Sequence, residues 1–343
     1  MRIAHVLDRT APAGAPWRLA AAIPDGRWLD LEAARRWLLA DDPRYAHNAS
    51  LFRDPISTLD AFLSAGRGRV ESLATLLEPL GDRPDALEGS DEGGDLATLE
   101  QQLRFGPPLL DPPSLRDFYA FERHVGTMWK RREMQIPEAW YRLPIFYFSN
   151  VSEIRGPDDP VWAPRDSQEL DYELEVAALV DTSARDLDAG TAEEAIGGYM
   201  ILNDWSARDL QREETTVRLG PAKGKDFATT IGPWLVTPDE LTDARAAKGY
   251  DLVMTARVNG EELSRGTWSS AQFSFGEMLA RASADVRLRP GDLVGSGTVG
   301  TGCLLEIRDE TIGRYLQPGD RVTLAIDRLG ELSAPVVARP EGR

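Results

Sequence analysis

Apolar and polar positions change their period along the chain, and that change gives the first outline of its organisation. RIAHVLD (2–8) and WRLAAAI (17–23) are apolar runs of strand length, and the second leads through the turn residues PDGRW into another. Over 31–40 and roughly 57–79 the apolar positions recur every three or four residues, which predicts helix. EGSDEGGD (88–95) reads as an exposed acidic loop, and the four prolines of FGPPLLDPPS (105–114) exclude regular helix or interior strand. From 115 onward strands dominate: DYELEVAALV (171–180), GGYMILND (197–204), WLVTP (234–238) and DLVMTARV (251–258). VNGEEL (258–263) carries an Asn-Gly hairpin turn, and Ser274 with Glu277 has capping-box spacing ahead of a short helix. LRPGDLV (288–294) and LQPGDRV (316–322) read as two tight turns that enter strands.

These patterns predict a mixed α+β chain, predominantly β. A small N-terminal leader domain is expected over 1–105, a proline-rich linker over 106–114, and a larger, mostly antiparallel unit over 115–343. A doubly wound sheet is not expected. GPAKGKD (220–226) lacks the phosphate-loop spacing and no G-x-G-x-x-G opens a helix, so no nucleotide cofactor is expected.

Charge and composition then narrow the function classes. The 343 residues carry 39 Lys+Arg against 56 Asp+Glu, a formal charge of −17, which argues against nucleic acid and anionic membrane surfaces. No apolar run approaches the ~20 residues of a membrane span. The N-terminus lacks the pattern of a secretory signal, and the single Cys303 excludes an intramolecular disulfide, so a cytoplasmic location is expected. With only three histidines, any metal would be held mainly by oxygen ligands. The four lysines are scarce enough that each attracts notice.

Five segments carry candidate chemistry. In a strand Asp171, Glu173 and Glu175 share one face, which suits either a solvated edge or a hard divalent cation. Asp204 follows an apolar strand and fits an N-cap. Arg208 and Gln211 fall four and seven residues later, on the same helical face, where they would suit a carboxylate-bearing ligand. His124 lies in D-F-Y-x4-H, followed by the basic run Lys130-Arg131-Arg132. Lys225 lies in a Gly/Pro loop, where a ligand contact is more plausible than a solubilising charge. Gly295-Ser296-Gly297-Thr298 allows close backbone approach to a ligand, and Glu306 follows shortly after.

Taken in order, these segments resemble the fumarylacetoacetate hydrolase family. The matching runs are D-F-Y-x4-H (117–124), L-P-x-x-Y (143–147), D-x-E-x-E (171–175), N-D-W-S-A-R-D-x-Q (203–211), G-K-x-F-x-T-T-x-x-P-W (224–234) and R-P-G-D-L-x-x-S-G-T (289–298). The resemblance covers roughly 112–336 and implies a mixed β-sandwich roll, a small N-terminal domain and a homodimer. It implies that Glu173, Glu175 and Asp204, with Asp117 as a fourth carboxylate, bind Mg2+, with Ca2+ or Mn2+ as alternatives. His124 would be the base that activates water, oriented by Glu306. Lys225 would offset oxyanion charge. Tyr119, Tyr147, Arg208, Gln211 and Thr298 would contact substrate, with Lys130 or Arg131 supplying a further cation.

The implied reaction is hydrolysis of a C–C bond in a small anionic diketo or 2-keto acid of the kind met in aromatic catabolism. Hydration, isomerisation and decarboxylation of related 2-keto acids are the alternatives within the family. A non-catalytic module holding a structural Ca2+ is the alternative outside it.

Overall fold

The computed structural model describes residues 1–41, 45, 50–81 and 96–341, so the acidic stretch 88–95 lies outside the described residues. Its backbone is a large mixed sheet with a second sheet packed on one face and helical segments on the other. The long sheet runs Ala97–Leu99, Arg27–Asp30, Arg18–Ala22, Arg2–Asp8, Thr229–Val236, Ile196–Asp204, Leu174–Val180, Leu293–Gly295, Leu115–Phe118 and Phe146–Ser149. Nearly all of these pairs are antiparallel. The exception on this path joins Leu293–Gly295 in parallel with Leu115–Phe118, placing Gly295 opposite Asp117.

Leu174–Val180 lies inside this sheet and is buried along its whole length. Its side chains alternate between two cores, as a strand covered on both faces requires. Leu174, Val176, Ala178 and Val180 meet Met254, Ala256, Leu324 and Ile326 of the second sheet. Ala177 and Leu179 meet Leu59, Phe62, Leu63 and Leu73 of the N-terminal helical segments. The second sheet is the antiparallel series Glu261–Thr267, Val253–Val258, Arg321–Ile326 and Gly330–Pro335. Its first hairpin turns at Asn259 and Gly260, with φ of 54° and 86°, the left-handed pair that a type I′ turn needs.

The two P-G-D turns share one device. Asp292 accepts the Arg289 N–H and Asp320 the Gln317 N–H, each at 2.8 Å, while the glycine between takes a φ of 96° or 102°. The capping box forms as its spacing predicts: Ser274 and Glu277 exchange side-chain and backbone bonds at the start of Phe275–Ser283. Leu31–Asp41 is helical, again as its period predicts. The expected helix over 57–79 breaks instead into Leu59–Ser64, a tighter 3-10 turn at Val70–Leu76, and Glu78–Gly81. Gly66 and Gly68, at φ of 62° and 153°, interrupt it.

Among the described residues, the strands of the first hundred positions build no sheet of their own. Arg2–Asp8 pairs with Thr229–Val236, with Ile3 opposite Leu235, and so extends the downstream sheet. Buried His5 fastens the join. Its Nδ1 lies 2.9 Å from the Pro107 carbonyl and its Nε2 accepts the Leu59 N–H, which fixes a neutral ring with the proton on Nδ1. Burial also lowers its pKa, in keeping with that neutral state. One of the three histidines is therefore structural. We retain 1–105 as a proposed leader unit, one that is sewn to the 115–343 unit through a shared sheet. Among the described residues no helix is long and apolar enough to cross a membrane.

Candidate active site

At the Glu175 end of the central strand, side chains from six segments converge. Asp117 comes from Leu115–Phe118, Glu175 from Leu174–Val180 and Asp204 from the end of Ile196–Asp204. Tyr147 arrives from the edge strand, Lys225 from the Gly/Pro loop and Thr298 from the loop after Leu293–Gly295. The small residues of that last loop are a steric necessity. A Cβ at Gly295 would lie 2.3 Å from an Asp117 carboxylate oxygen, and one at Gly297 would lie 2.4 Å from the Phe118 carbonyl.

Carboxylate oxygens of Asp117, Glu175 and Asp204 all lie within 4.8 Å of one another, and all three residues are buried. Protein donors satisfy part of the cluster. Gly297 N–H reaches Asp117 at 3.2 Å and Glu175 at 3.1 Å, Thr298 Oγ1 donates to Glu175 at 3.2 Å, and Tyr147 donates to Asp204 Oδ2 at 2.7 Å. Asp204 Oδ1 is buried and has no hydrogen-bond partner. Burial pushes the Asp117 carboxyl well above the usual carboxylate range, and Asp204 adds to it. Burial does the same to Glu175, with Asp117, Glu173 and Asp204 adding. Crowded, dehydrated carboxylates with an orphaned oxygen fit a hard divalent cation such as Mg2+, Mn2+ or Ca2+.

Glu173 is drawn elsewhere. Lys225 Nζ bridges Glu173 and Asp204, and Arg208 Nη2 lies 2.8 Å from Glu173. Burial alone would raise the Glu173 carboxyl, but Lys225, Arg208 and His124 outweigh it and hold the pKa at about 2. Burial opposes the Lys225 ammonium, yet Asp204 and Glu173 raise its pKa and keep it charged.

His124 stands on the helix Glu122–Lys130, with Nδ1 2.5 Å from Glu306 Oε1. Glu306 lies on the short helix Leu304–Ile307, and its other oxygen accepts the Thr301 N–H at 3.0 Å. The dyad is only 5% and 2% exposed at its two side chains. The Tyr119 ring stands edge-on to the imidazole, centroids 5.4 Å apart.

Several sequence expectations land differently. Asp171, Glu173 and Glu175 are buried, so the solvated-edge reading is excluded, and their carboxylates fan out to three sets of partners. Asp204, Arg208 and Gln211 do not share a helical face, because Asp204 ends a strand and the helix begins only at Arg208. Arg208 spends its guanidinium inside the protein, on Asp171 at 2.8 Å, on Glu173 and on Gln211 at 3.0 Å. Tyr147 and Thr298 likewise hold site carboxylates. Lys130 is exposed at the end of its helix, whereas Arg131 and Arg132 line a cavity of about 500 Å³ together with Arg208, Gln211, Arg212 and Arg308.

Asp171, from the same D-x-E-x-E run, stands outside the Asp117–Glu175–Asp204 cluster. It accepts the Leu304 and Leu305 N–H groups at 2.7 and 2.9 Å, and so fixes the helix that carries Glu306.

The chain resembles known proteins over most of its length. Residues 114–337 match the family model described as fumarylacetoacetate hydrolase, C-terminal. The chain is 30% identical over 270 residues to a fumarylacetoacetase of Arabidopsis thaliana, covering 61% of this chain and 63% of that one, less than two thirds of the relative's length. It is 33% identical over 245 residues to a 2,4-didehydro-3-deoxy-L-rhamnonate hydrolase of Sphingomonas sp. (strain SKA58), covering 70% and 79% of the two. A solved fumarylacetoacetate hydrolase from Exiguobacterium antarcticum superposes with a TM-score of 0.67 over 99% of this chain and all of that one, at 24% identity. The chain belongs to the fumarylacetoacetate hydrolase family.

Proposed function

We propose that this protein is a divalent-metal-dependent hydrolase that cleaves a C–C bond in a small diketo acid of the fumarylacetoacetate or acylpyruvate kind. The observation that carries this reading is a buried carboxylate cluster whose Asp204 Oδ1 lacks a partner, linked through Lys225 to Glu173, on which the imidazole of a buried His–Glu dyad acts electrostatically. Asp117, Glu175 and Asp204 would hold the cation, with Glu173 beside them. When bound, the cation supplies Lewis-acid polarisation of the substrate's keto oxygens.

The chain's own groups do the rest. Glu306 holds the His124 ring through Nδ1 and leaves Nε2 as the nitrogen that takes a proton from water. The water oxygen attacks the carbonyl carbon, the C–C bond breaks, and the electron pair passes to the keto-acid fragment as an enolate. His124 then returns its proton to the α-carbon of that enolate, so substrate plus one water gives two acids. Lys225, kept charged by its two carboxylates, offsets the developing oxyanion. The arginines of the adjoining cavity favour a small organic anion. A cytoplasmic homodimer is part of the same reading.

The test is turnover of acylpyruvates and related diketo acids with Mg2+, followed by loss of enol absorbance and by product mass. Products whose masses sum to substrate plus one water support hydrolysis, while a product of unchanged mass points to an isomerase. His124→Ala should lower turnover by ~10²-fold or more. Near-wild-type turnover in that variant removes His124 from the mechanism.

A further inference from the structure

We propose that His124, Cys303 and Glu306 form a second cation site, opposite in chemistry to the carboxylate cluster, which takes Zn2+ and switches the dyad off. A ring nitrogen of His124, the Cys303 sulfur and a Glu306 oxygen all lie within 4.8 Å of one another. Cys303 Sγ is 3.7 Å from the Glu306 Oε1 that also lies 2.5 Å from His124 Nδ1.

Zinc binds nitrogen, oxygen and sulfur at about 2.0 to 2.3 Å in a tetrahedron, which sets neighbouring donor atoms roughly 3.3 to 3.7 Å apart. The sulfur–oxygen separation already meets that requirement. The nitrogen–oxygen contact, at 2.5 Å, must widen by ~1 Å. The Thr301 N–H on the other Glu306 oxygen leaves the carboxylate anchored while Oε1 turns to a cation.

Donor chemistry separates the two sites. Asp117, Glu175 and Asp204 offer oxygen alone and suit hard Mg2+ or Ca2+, whereas an imidazole, a thiolate and a carboxylate favour borderline Zn2+. On coordination the Cys303 thiol and the Nδ1–H give their protons to solvent. His124 then loses the carboxylate that orients it, and its ring is fixed on the ion. Zn2+ is therefore an inhibitor that excess Mg2+ does not relieve. Inhibition rests on the proposed role of the dyad, but binding at this triad is measurable without any substrate.

Cys303 is the only cysteine of the chain, so thiolate ligation can be assigned without ambiguity. The experiment uses Co2+ as an optical stand-in for Zn2+, with the full chain in excess Mg2+. A thiolate-to-cobalt charge-transfer band that saturates at one equivalent and is displaced by Zn2+ is the expected result. Cys303→Ser should lack the band and bind Zn2+ at least ~10-fold more weakly in competition with a chromophoric chelator. Three results overturn the proposal: no charge-transfer band in the wild type, unchanged Zn2+ affinity in Cys303→Ser, or displacement of Zn2+ by Mg2+, which would place the ion among the carboxylates. If the variant does not fold, the wild-type cobalt spectrum decides alone.

Discussion

Replacing Asp117 with Asn should stabilise the cation-free protein and weaken its grip on a divalent cation. The Asp117, Glu175 and Asp204 oxygens lie within 4.8 Å of one another. At that distance, with an effective dielectric constant of ~20, two unit charges repel by about 3.5 kcal/mol. Lys225 relieves part of this through Asp204. The amide would keep the Gly297 N–H contact now made by Asp117 Oδ1, and its NH₂ could donate to Glu175, which already meets the Asp117 carboxyl. A gain of up to ~2 to 3 kcal/mol therefore follows in the absence of cation where both carboxylates are ionised, and less where one of them holds a proton.

The pH dependence has a definite sign. Asp117 and Glu175 have folded-state pKa values above their ordinary ones, so between those two values the native state binds more protons than the unfolded chain. Stability of the cation-free wild type therefore falls as pH rises through this window, and Asp117→Asn should flatten the fall. Urea unfolding at pH 8, in chelator and in excess Mg2+, reads all of this. Wild type should gain about 2.7 kcal/mol at a cation concentration one hundred times Kd, and the variant clearly less at the same concentration. A variant that is less stable than wild type in chelator, or equally stabilised by Mg2+, would refute the electrostatic account.

Two further substitutions probe the supports of the site. Asp171→Asn leaves buried Arg208 and the Leu304 and Leu305 amides short of an acceptor, so unfolding should cost ~3 to 5 kcal/mol less and turnover should fall through Glu306; a loss under ~1 kcal/mol would contradict this role. Arg314 and Asn259 hold the Asp320 carboxyl down at about 2 against an ordinary 3.8. Its stabilising contribution is thus complete above pH 3.8 and disappears as pH falls through about 2. Allowing for screening at Arg314, about a third exposed, Asp320→Asn should cost ~1 to 2 kcal/mol at neutral pH and progressively less as pH falls through about 2, measured by thermal unfolding across that range.

Local chemistry was legible in the sequence wherever a few adjacent residues decide the outcome. The Asn259-Gly260 turn, the Ser274–Glu277 capping box and the two P-G-D turns all formed at their expected positions, because each closes hydrogen bonds within four residues. Alternation likewise placed Leu174 and Val176 in a core. The D-x-E-x-E run shows where such reasoning stops. A regular strand would align its three carboxylates, but regular pairing starts only at Leu174, and the Glu173 N–H is taken by the Asn203 side chain. Contacts that join distant segments left no local trace. His124 meets Glu306 across 182 positions, and Asp171 caps the Leu304 helix from 133 positions away.

The charge balance explains why the scarce cations matter in a chain of net charge −17. Asp117, Asp171, Glu173, Glu175 and Asp204 bring five buried carboxylates to the site against the two cations Lys225 and Arg208. A bound divalent ion would lower that excess without removing it, so the organic anion of the proposed reaction would still have to approach a negative centre. The adjoining cavity offers the counter-field. There Arg212 is paired with Glu169 and Arg308 with Asp309, but Arg131 lies 3.9 Å from its nearest carboxylate and Arg132 is exposed beside it. In the proposed reaction these two arginines would be the groups that draw an anion inward, by field rather than by contact with the dyad.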